Sequence, residues 1–241
     1  MKYLTICILL LSAFSCKKAE NRRCLKASGQ INVINQSHDE TINKLIICDD
    51  INLKLVNDSL NFCEIMGPSN LIKLVHIIEN NNAITIENHN SCKFLRTNKE
   101  INVNFHYTDL KTIHLNGFGK LTNEKEIIHP IEIKAENVLS NIDLLINNDS
   151  TNILISRGST ETKLRGNCSN LYIYNSGLAP VKTLSLSSIN VHIHSNTITK
   201  TEINVNGKLN AEIRSSGDIY YSGDPTSIKS TITGSGKIIE I

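Results

Sequence analysis

Tryptophan is absent from this 241-residue chain, and aromatic residues make up only 5% of it. Sugar recognition usually leans on exposed aromatic platforms, so a carbohydrate site here would have to be built from Asn, Asp and Tyr. Neither sign of charge dominates. The 25 Lys and Arg face 23 Asp and Glu for a net charge of +2, interspersed along the chain, which argues against a dedicated nucleic-acid binder. No apolar run reaches the roughly 20 residues of a membrane-spanning helix. No two cysteines stand in C-x-x-C spacing, so a zinc ribbon or a thioredoxin-type redox motif has no support. H-E-x-x-H and G-x-S-x-G are missing, and no S-x-x-K lies beyond residue 16, leaving zinc-protease, α/β-hydrolase and penicillin-binding chemistry without a motif. Gly234-Ser-Gly-Lys237 lacks the earlier glycine and the following Ser or Thr of a phosphate loop, and Gly117-Phe-Gly119 lacks the third glycine of a dinucleotide fingerprint.

The first fifteen residues read as an export signal: Lys2 supplies the positive start, Ile6 to Leu11 the apolar run, and small residues follow. The stretch Leu11-Ser-Ala-Phe-Ser-Cys16 resembles a bacterial lipobox, in which cleavage precedes a cysteine that is then diacylated. Phe14 departs from that pattern, and an Ala-x-Ser end also suits ordinary signal cleavage, so lipidation of Cys16 and plain secretion both stand as readings. Residues 16–29 form a short tether carrying Lys17, Lys18, Arg22 and Arg23, either simply solvated or drawn to anionic headgroups. Export places the remaining thiols in an oxidising compartment. Without Cys7 and Cys16 they are Cys24, Cys48, Cys63, Cys92 and Cys168, an odd set, so at least one is free, buried or intermolecular. Cys48 and Cys168 read as small core residues.

From Gln30 onward the chain is a succession of short alternating segments such as Ile51-Asn-Leu-Lys-Leu-Val56, Ala83-Ile-Thr-Ile-Glu87, Ile101-Asn-Val-Asn-Phe105 and Glu202-Ile-Asn-Val205. Alternation at period two puts one face in a core and the other in water, which predicts strands. Asn70 to Glu79 is the least regular stretch and has room for a helical turn. In the second half the pairs Ile153/Ile155, Leu171/Ile173, Val191/Ile193 and Ala211/Ile213, then Ile232, recur about every 18 to 20 residues. A second series, Leu144/Ile146, Thr162/Leu164, Leu184/Leu186, Ile203/Val205 and Ile219/Tyr221, runs between them. Two interleaved series of this period are the signature of stacked coils that bury apolar side chains against their neighbours. A sandwich of hairpins is the competing architecture, but only Asn116-Gly117 and Asn206-Gly207 read as tight hairpin turns. The expected fold is therefore all-β: one domain over residues 30–241, a β-helix-like solenoid from about Leu110 preceded by a more irregular, hairpin-like β region.

His192 and His194 alternate with apolar Val191 and Ile193, so both imidazoles project outward from one strand. A coil of about 20 residues predicts a row Tyr172-His192-Glu212 beside a row Tyr174-His194-Arg214. The plain reading is a solvated sheet face with cross-strand pairs; the functional one is a surface contact patch for a partner. Two histidines and one carboxylate fall short of the four ligands of a structural zinc site, and no metal is assigned. Asp218 and Asp224 near the last turn are the carboxylates a hydrolytic site would draw on, although Asp224 precedes Pro225 and reads first as a turn former.

The segment Asp109-Leu-Lys-Thr-Ile-His-Leu-Asn-Gly-Phe-Gly-Lys120 and the closing Ser215-Ser-Gly-Asp-Ile-Tyr-Tyr-Ser-Gly-Asp-Pro225, followed by Ser230-Thr-Ile-Thr-Gly-Ser-Gly-Lys237, resemble the head GIN domain family of Bacteroidetes envelope proteins, also called auto-transporter adhesins. The resemblance covers essentially all of the chain after the tether. It implies a right-handed β-helix-like fold and a periplasmic or surface lipoprotein, and it implies no catalytic residues. It also implies a disulfide between Cys24 and Cys92. In these bacteria acidic residues just behind the lipidated cysteine accompany display on the outer face; Lys17 and Lys18 stand there instead, which favours the periplasmic side.

The reading is thus an exported, lipid-anchored envelope protein acting as a non-enzymatic structural, ligand-binding or adhesion module. The rival is a carbohydrate-active β-helix enzyme using surface carboxylates near Asp218. No cofactor is expected, the partners are the membrane through the lipid and an envelope protein or polysaccharide, and the oligomeric state stays open.

Overall fold

The computed structural model describes residues 27–91 and 100–241. Cys16, Cys24 and Cys92, and with them the lipid anchor and the implied disulfide, lie outside the described residues.

The described residues are all-β apart from one short helix. In order come β1 (Ile31–Ser37), β2 (Lys44–Asp50), β3 (Asn52–Asn57), β4 (Phe62–Pro68), α1 (Ser69–Ile72), β5 (Val75–Asn80), β6 (Ala83–Asn88), β7 (Asn102–Tyr107), β8 (Thr112–Asn123), β9 (Ile131–Asn175), β10 (Val181–Ser195), β11 (Thr201–Ile213), β12 (Ile219–Ser222), β13 (Ser227–Ile232) and β14 (Ile238–Glu240). The strands join in one large, open sheet whose main path runs β1-β4-β7-β3-β8-β9-β10-β11-β12-β14. Antiparallel pairs are confined to the first half: β1 with β4, β4 with β7, and β5 with β6. Helix α1 occupies the irregular stretch after Pro68.

Parallel pairing begins earlier than the sequence repeat suggests. Strands β2 and β3 already lie parallel to β8, β2 also to β6, and β3 to β7. The repeat is invisible there because the antiparallel strands β4 and β5 and helix α1 intervene between the parallel strands, so the spacing is no longer constant. Asn116-Gly117 and Asn206-Gly207 are not hairpin turns either, but lie inside the parallel strands β8 and β11. At these corners the chain passes tightly over the rung below. A Cβ on Gly117 would stand 1.9 Å from the Asp49 carbonyl oxygen, and one on Gly119, at φ +124°, would stand 2.2 Å from that of Ile51. Glycine is there for close approach and, at Gly119, for a left-handed backbone.

From β8 on, each rung pairs parallel with the next. Ile113 faces Ile133, Leu171 faces Val191 and then Leu209, and Ile173 faces Ile193 and then Ala211. The 45 residues of β9 fold back along themselves, since Ser140 meets Thr160, Asp143 meets Arg165 and Asn148 meets Cys168, each about 20 residues apart. The interior is a column of fully buried Ile, Leu and Val that includes Ile133, Ile153, Ile173 and Ile193, joined by buried Thr151, Thr160, Thr162, Thr183 and Thr201. Successive turns are tied by hydroxyls: Thr197 Oγ1 donates to the Gly177 carbonyl at 2.6 Å and Thr199 Oγ1 to that of Ala179 at 3.0 Å.

Register departs from the simple 20-residue repeat in two places. Val191 and Ile193 pair with Leu209 and Ala211, while Ile213 lies between Ser195 and Ile232, so the spacing from β10 to β11 is two residues short of 20. The loss falls between Thr183 and Ser187, where the offset between partners drops from 20 (Thr183 with Ile203) to 17 (Ser187 with Asn204), and one residue is regained between Ser188 and Asn190. In the second series Val181 and Thr183 take the inward positions opposite Thr201 and Ile203, and Leu184 is left half-exposed within the first of these breaks in register. Among the cysteines, Cys63 and Cys168 are buried and Cys48 half-buried, all three as free thiols.

Candidate functional site

Strand alternation in β9, β10 and β11 sends Ile173, Ile193 and Ala211 inward and turns Tyr172, Tyr174, His192, His194 and Glu212 outward. The structure brings all six patch residues to one face, but in different rows from those the 20-residue coil predicts. Tyr172 pairs with His192, and the next rung offers Asn210 and then Lys229. Tyr174 pairs with His194, followed by Glu212 and Thr231. Glu212 therefore stands opposite His194 and not His192, and Arg214 falls one outward position past the end of the row. The cause is the two-residue shortening of the spacing between β10 and β11. A shift of two preserves which side of the sheet a residue faces while changing its partner.

The side chains form a connected chain. His192 Nε2 and His194 Nε2 lie 2.9 Å apart, His194 Nδ1 is 2.5 Å from Glu212 Oε2, and Arg214 Nε donates to Glu212 Oε1 at 2.6 Å. An ionised carboxylate only accepts, so Nδ1 of His194 carries the proton; in neutral His194 its Nε2 then accepts and His192 Nε2–H donates. The relay thus runs from His192 through His194 to a Glu212 that Arg214 also holds. Hydrogen bonds from Arg214 and His194 keep the Glu212 carboxyl below its usual pKa. The same carboxylate raises the pKa of Arg214. Partial burial, with the neighbouring His194, pushes the His192 pKa down from 6.5 despite the opposing pull of Glu212. Tyr172 covers both imidazoles, its ring centroid 5.5 Å from that of His192 and 5.8 Å from that of His194. A shallow depression of about 410 Å³ opens beside them, floored by Asn210, Ala211 and Ser230 and edged by Lys229.

Glu212 approaches His194 from the Nδ1 side, away from the point where the two Nε2 atoms meet, so the two histidines and the carboxylate do not converge. Among the described residues no three His, Cys, Asp or Glu side chains are grouped to hold a metal ion. Asp218 is engaged in the closing turn: Oδ1 accepts from the Lys237 backbone at 2.8 Å and Oδ2 from the Tyr220 hydroxyl at 3.4 Å.

A second depression escaped the sequence reading. It lies at the corner where Ile128, Asn147 to Asp149, Asn167 to Ser169, Ser187 and Ile189 meet, and holds about 340 Å³. The only hint in the sequence is the run of Asn and Ser between apolar pairs, which reads equally well as turns.

A sheet of parallel rungs that packs its apolar side chains inward and sets its polar and aromatic ones in outward columns is a scaffold for displaying a surface. The chain belongs to the family described as "Putative auto-transporter adhesin, head GIN domain", whose model matches residues 42–225. Adhesins are a class that works at the cell envelope or outside it. Several solved structures share the fold, three of them as follows. A putative adhesin from Bacteroides fragilis superimposes with a TM-score of 0.80 at 20% identity, covering 88% of this chain and 97% of that one. A putative adhesin from Parabacteroides merdae gives a TM-score of 0.64 at 16% identity over 89% and 98%, and a putative lipid binding protein from Parabacteroides distasonis gives 0.63 at 16% over 89% and 98%. No curated protein matches the chain in sequence.

Proposed function

We propose that this protein is an exported, lipid-anchored, non-enzymatic adhesion module of the cell envelope, held through Cys16 on the periplasmic side, whose β-helix-like solenoid of right-handed coils presents the Tyr172–Arg214 face to an envelope protein. The observation that carries the reading is that face itself. Two tyrosines, two linked histidines and an Arg–Glu pair project from hydrogen-bonded strands that cost no ordering to present. Tyrosine and arginine are the residues that dominate protein–protein contacts, and a rigid, shallow surface suits a macromolecule. The tether composition and the Cys16 motif support the anchor, and Lys17 and Lys18 support the periplasmic side.

The test is site-specific photo-crosslinking in intact cells of the producing bacterium, with the photoreactive residue at Asn210 in the face or at Lys163 in another outward column. The reading predicts one discrete adduct from position 210 that disappears when Tyr172→Ala and Arg214→Ala are added. Equal adducts from both positions, or none from 210, would refute it. In parallel, Cys16→Ser should abolish incorporation of labelled palmitate and release the protein from membranes; unchanged labelling would remove the anchor from the proposal.

A further inference from the structure

We infer that the corner groove between Ile128 and Ile189 is a binding site for a neutral oligosaccharide, separate from the Tyr172–Arg214 face. Four successive rungs build it. Ile127 bridges to Ile146, Gly166 packs on Ile146, and Ser187 and Ser188 pair with Asn167 and Cys168. Neighbouring rungs in a sheet are about 4.8 Å apart, so the groove extends about 14 Å. That rung spacing is close to the length of one hexose unit in an extended chain, and an oligosaccharide lying along the stack would meet the same kind of side chain at each sugar.

The lining is what hydroxyl-rich, uncharged rings need. Part of its polar capacity is spent on the fold: Asn148 donates to the His129 carbonyl and accepts from Thr151 and Cys168, and Asn147 donates to Glu126. The rest is uncommitted among the described residues. The Asp149 carboxylate, the Asn167 amide and the Ser169 hydroxyl make no side-chain hydrogen bond, and the Ser187 hydroxyl accepts from Asn206 while its own proton stays available. Donors and acceptors are thus both present, as a sugar hydroxyl requires. Ile128 and Ile189, each 55% exposed, stand at the two ends of the stack and offer apolar surface to the C–H faces of the rings, in place of the aromatic platforms this chain lacks. No Lys or Arg lines the groove and Asp149 does, so the electrostatics disfavour uronate, sulfate or phosphate groups.

The experiment is isothermal titration of the full-length protein with defined pentasaccharides, neutral (glucose-, xylose- and mannose-based) and acidic (galacturonate-based), on wild type, Asp149→Ala, Asn167→Leu and Ile189→Ala, with Tyr172→Ala as the control at the other face. Asp149, Asn167 and Ile189 are exposed, so these variants should keep the wild-type circular dichroism and melting temperature. The inference predicts binding of at least one neutral pentasaccharide, weakened tenfold or more by Asp149→Ala or Asn167→Leu and unchanged by Tyr172→Ala. It is overturned if no neutral pentasaccharide binds, if only the acidic one binds, or if Tyr172→Ala and not the groove variants abolishes binding. A failure here leaves the crosslinking result at Asn210 intact, because the two sites share no residue.

Discussion

Ile193→Ala probes the stacked interior at the point where the rows of the candidate site are anchored. Ile193 is fully buried, in register between Ile173 and Ala211, and its neighbours on the same strand, His192 and His194, carry the relay. The substitution removes three buried carbons, worth about 2.4 kcal/mol at about 0.8 kcal/mol each. A cavity term adds to this, because the rungs on both sides are fixed by backbone hydrogen bonds and Ala211 is too small to reach into the space. The expected total is about 3.5 kcal/mol, inside the roughly 2–5 kcal/mol seen for such core truncations. Urea unfolding followed by circular dichroism measures it as a lowered midpoint at unchanged slope. Ile198→Ala, at a residue 69% exposed, is the matched control and should stay within about 0.5 kcal/mol of wild type. A loss below about 1 kcal/mol for Ile193→Ala, or one equal to the control, would refute the inward column and with it the outward assignment of the histidines.

Three further outcomes follow from the same geometry. By NMR His192 should titrate below the usual 6.5, against the surrounding Tyr172, His194, Glu212 and Lys229, and Glu212→Gln should lower it further by removing the one carboxylate that raises it; an upward shift would break the relay assignment. Both His192 and Glu212 have folded-state pKa values below their unfolded ones, so their stabilisation is complete above those unfolded values and is lost as the pH falls through the folded ones: melting temperature should drop below about pH 6.5 for His192 and again in the acid range for Glu212, more in wild type than in a His192→Asn, Glu212→Gln variant. Burial pushes the Cys63 thiol up to about 12, so an alkylating reagent at pH 8 should modify it only after denaturant is added, whereas labelling in the native protein would contradict its position.

How far the sequence could be read depended on whether a feature rests on parity or on register. Parity is local: Val191, Ile193 and Ile213 are apolar, His192, His194 and Glu212 are polar, and alternation alone assigns their sides of the sheet. Register is a property of the whole stretch from one rung to the next, set here by a loss between Thr183 and Ser187, partly regained between Ser188 and Asn190, that no single residue announces. The six patch residues were therefore found together on one face while every pairing involving Glu212 and Arg214 was displaced. The first half was harder for the same reason. The antiparallel strands β4 and β5 between β3 and β8 interrupt the period, so the parallel pairing of β2 and β3 with β8 has no counterpart in the spacing of apolar residues. Asn116-Gly117 misled in a different way, because a glycine needed for close backbone approach at a corner looks, in sequence, like one needed for a two-residue turn.

The corner groove shows what this kind of fold hides from sequence reading. In β9 and β10 the face residues Tyr172 and His192 follow the corner residues Asn167 to Ser169 and Ser187 to Ile189 within a few positions, so each rung contributes to both surfaces. A face column is legible because it alternates with a core column. A corner has no such alternation: Asn147, Asn167 and Ser187 come together only because paired rungs bend at the same place, and each alone is an ordinary turn residue. Stacking converts turn chemistry into a surface repeated at the rung spacing, and a ligand with a matching repeat can engage it through several weak contacts at once. The same logic explains why substitutions in such a groove should alter binding without unfolding the protein, since the buried columns beneath, Ile146, Leu164 and Leu186 among them, remain untouched.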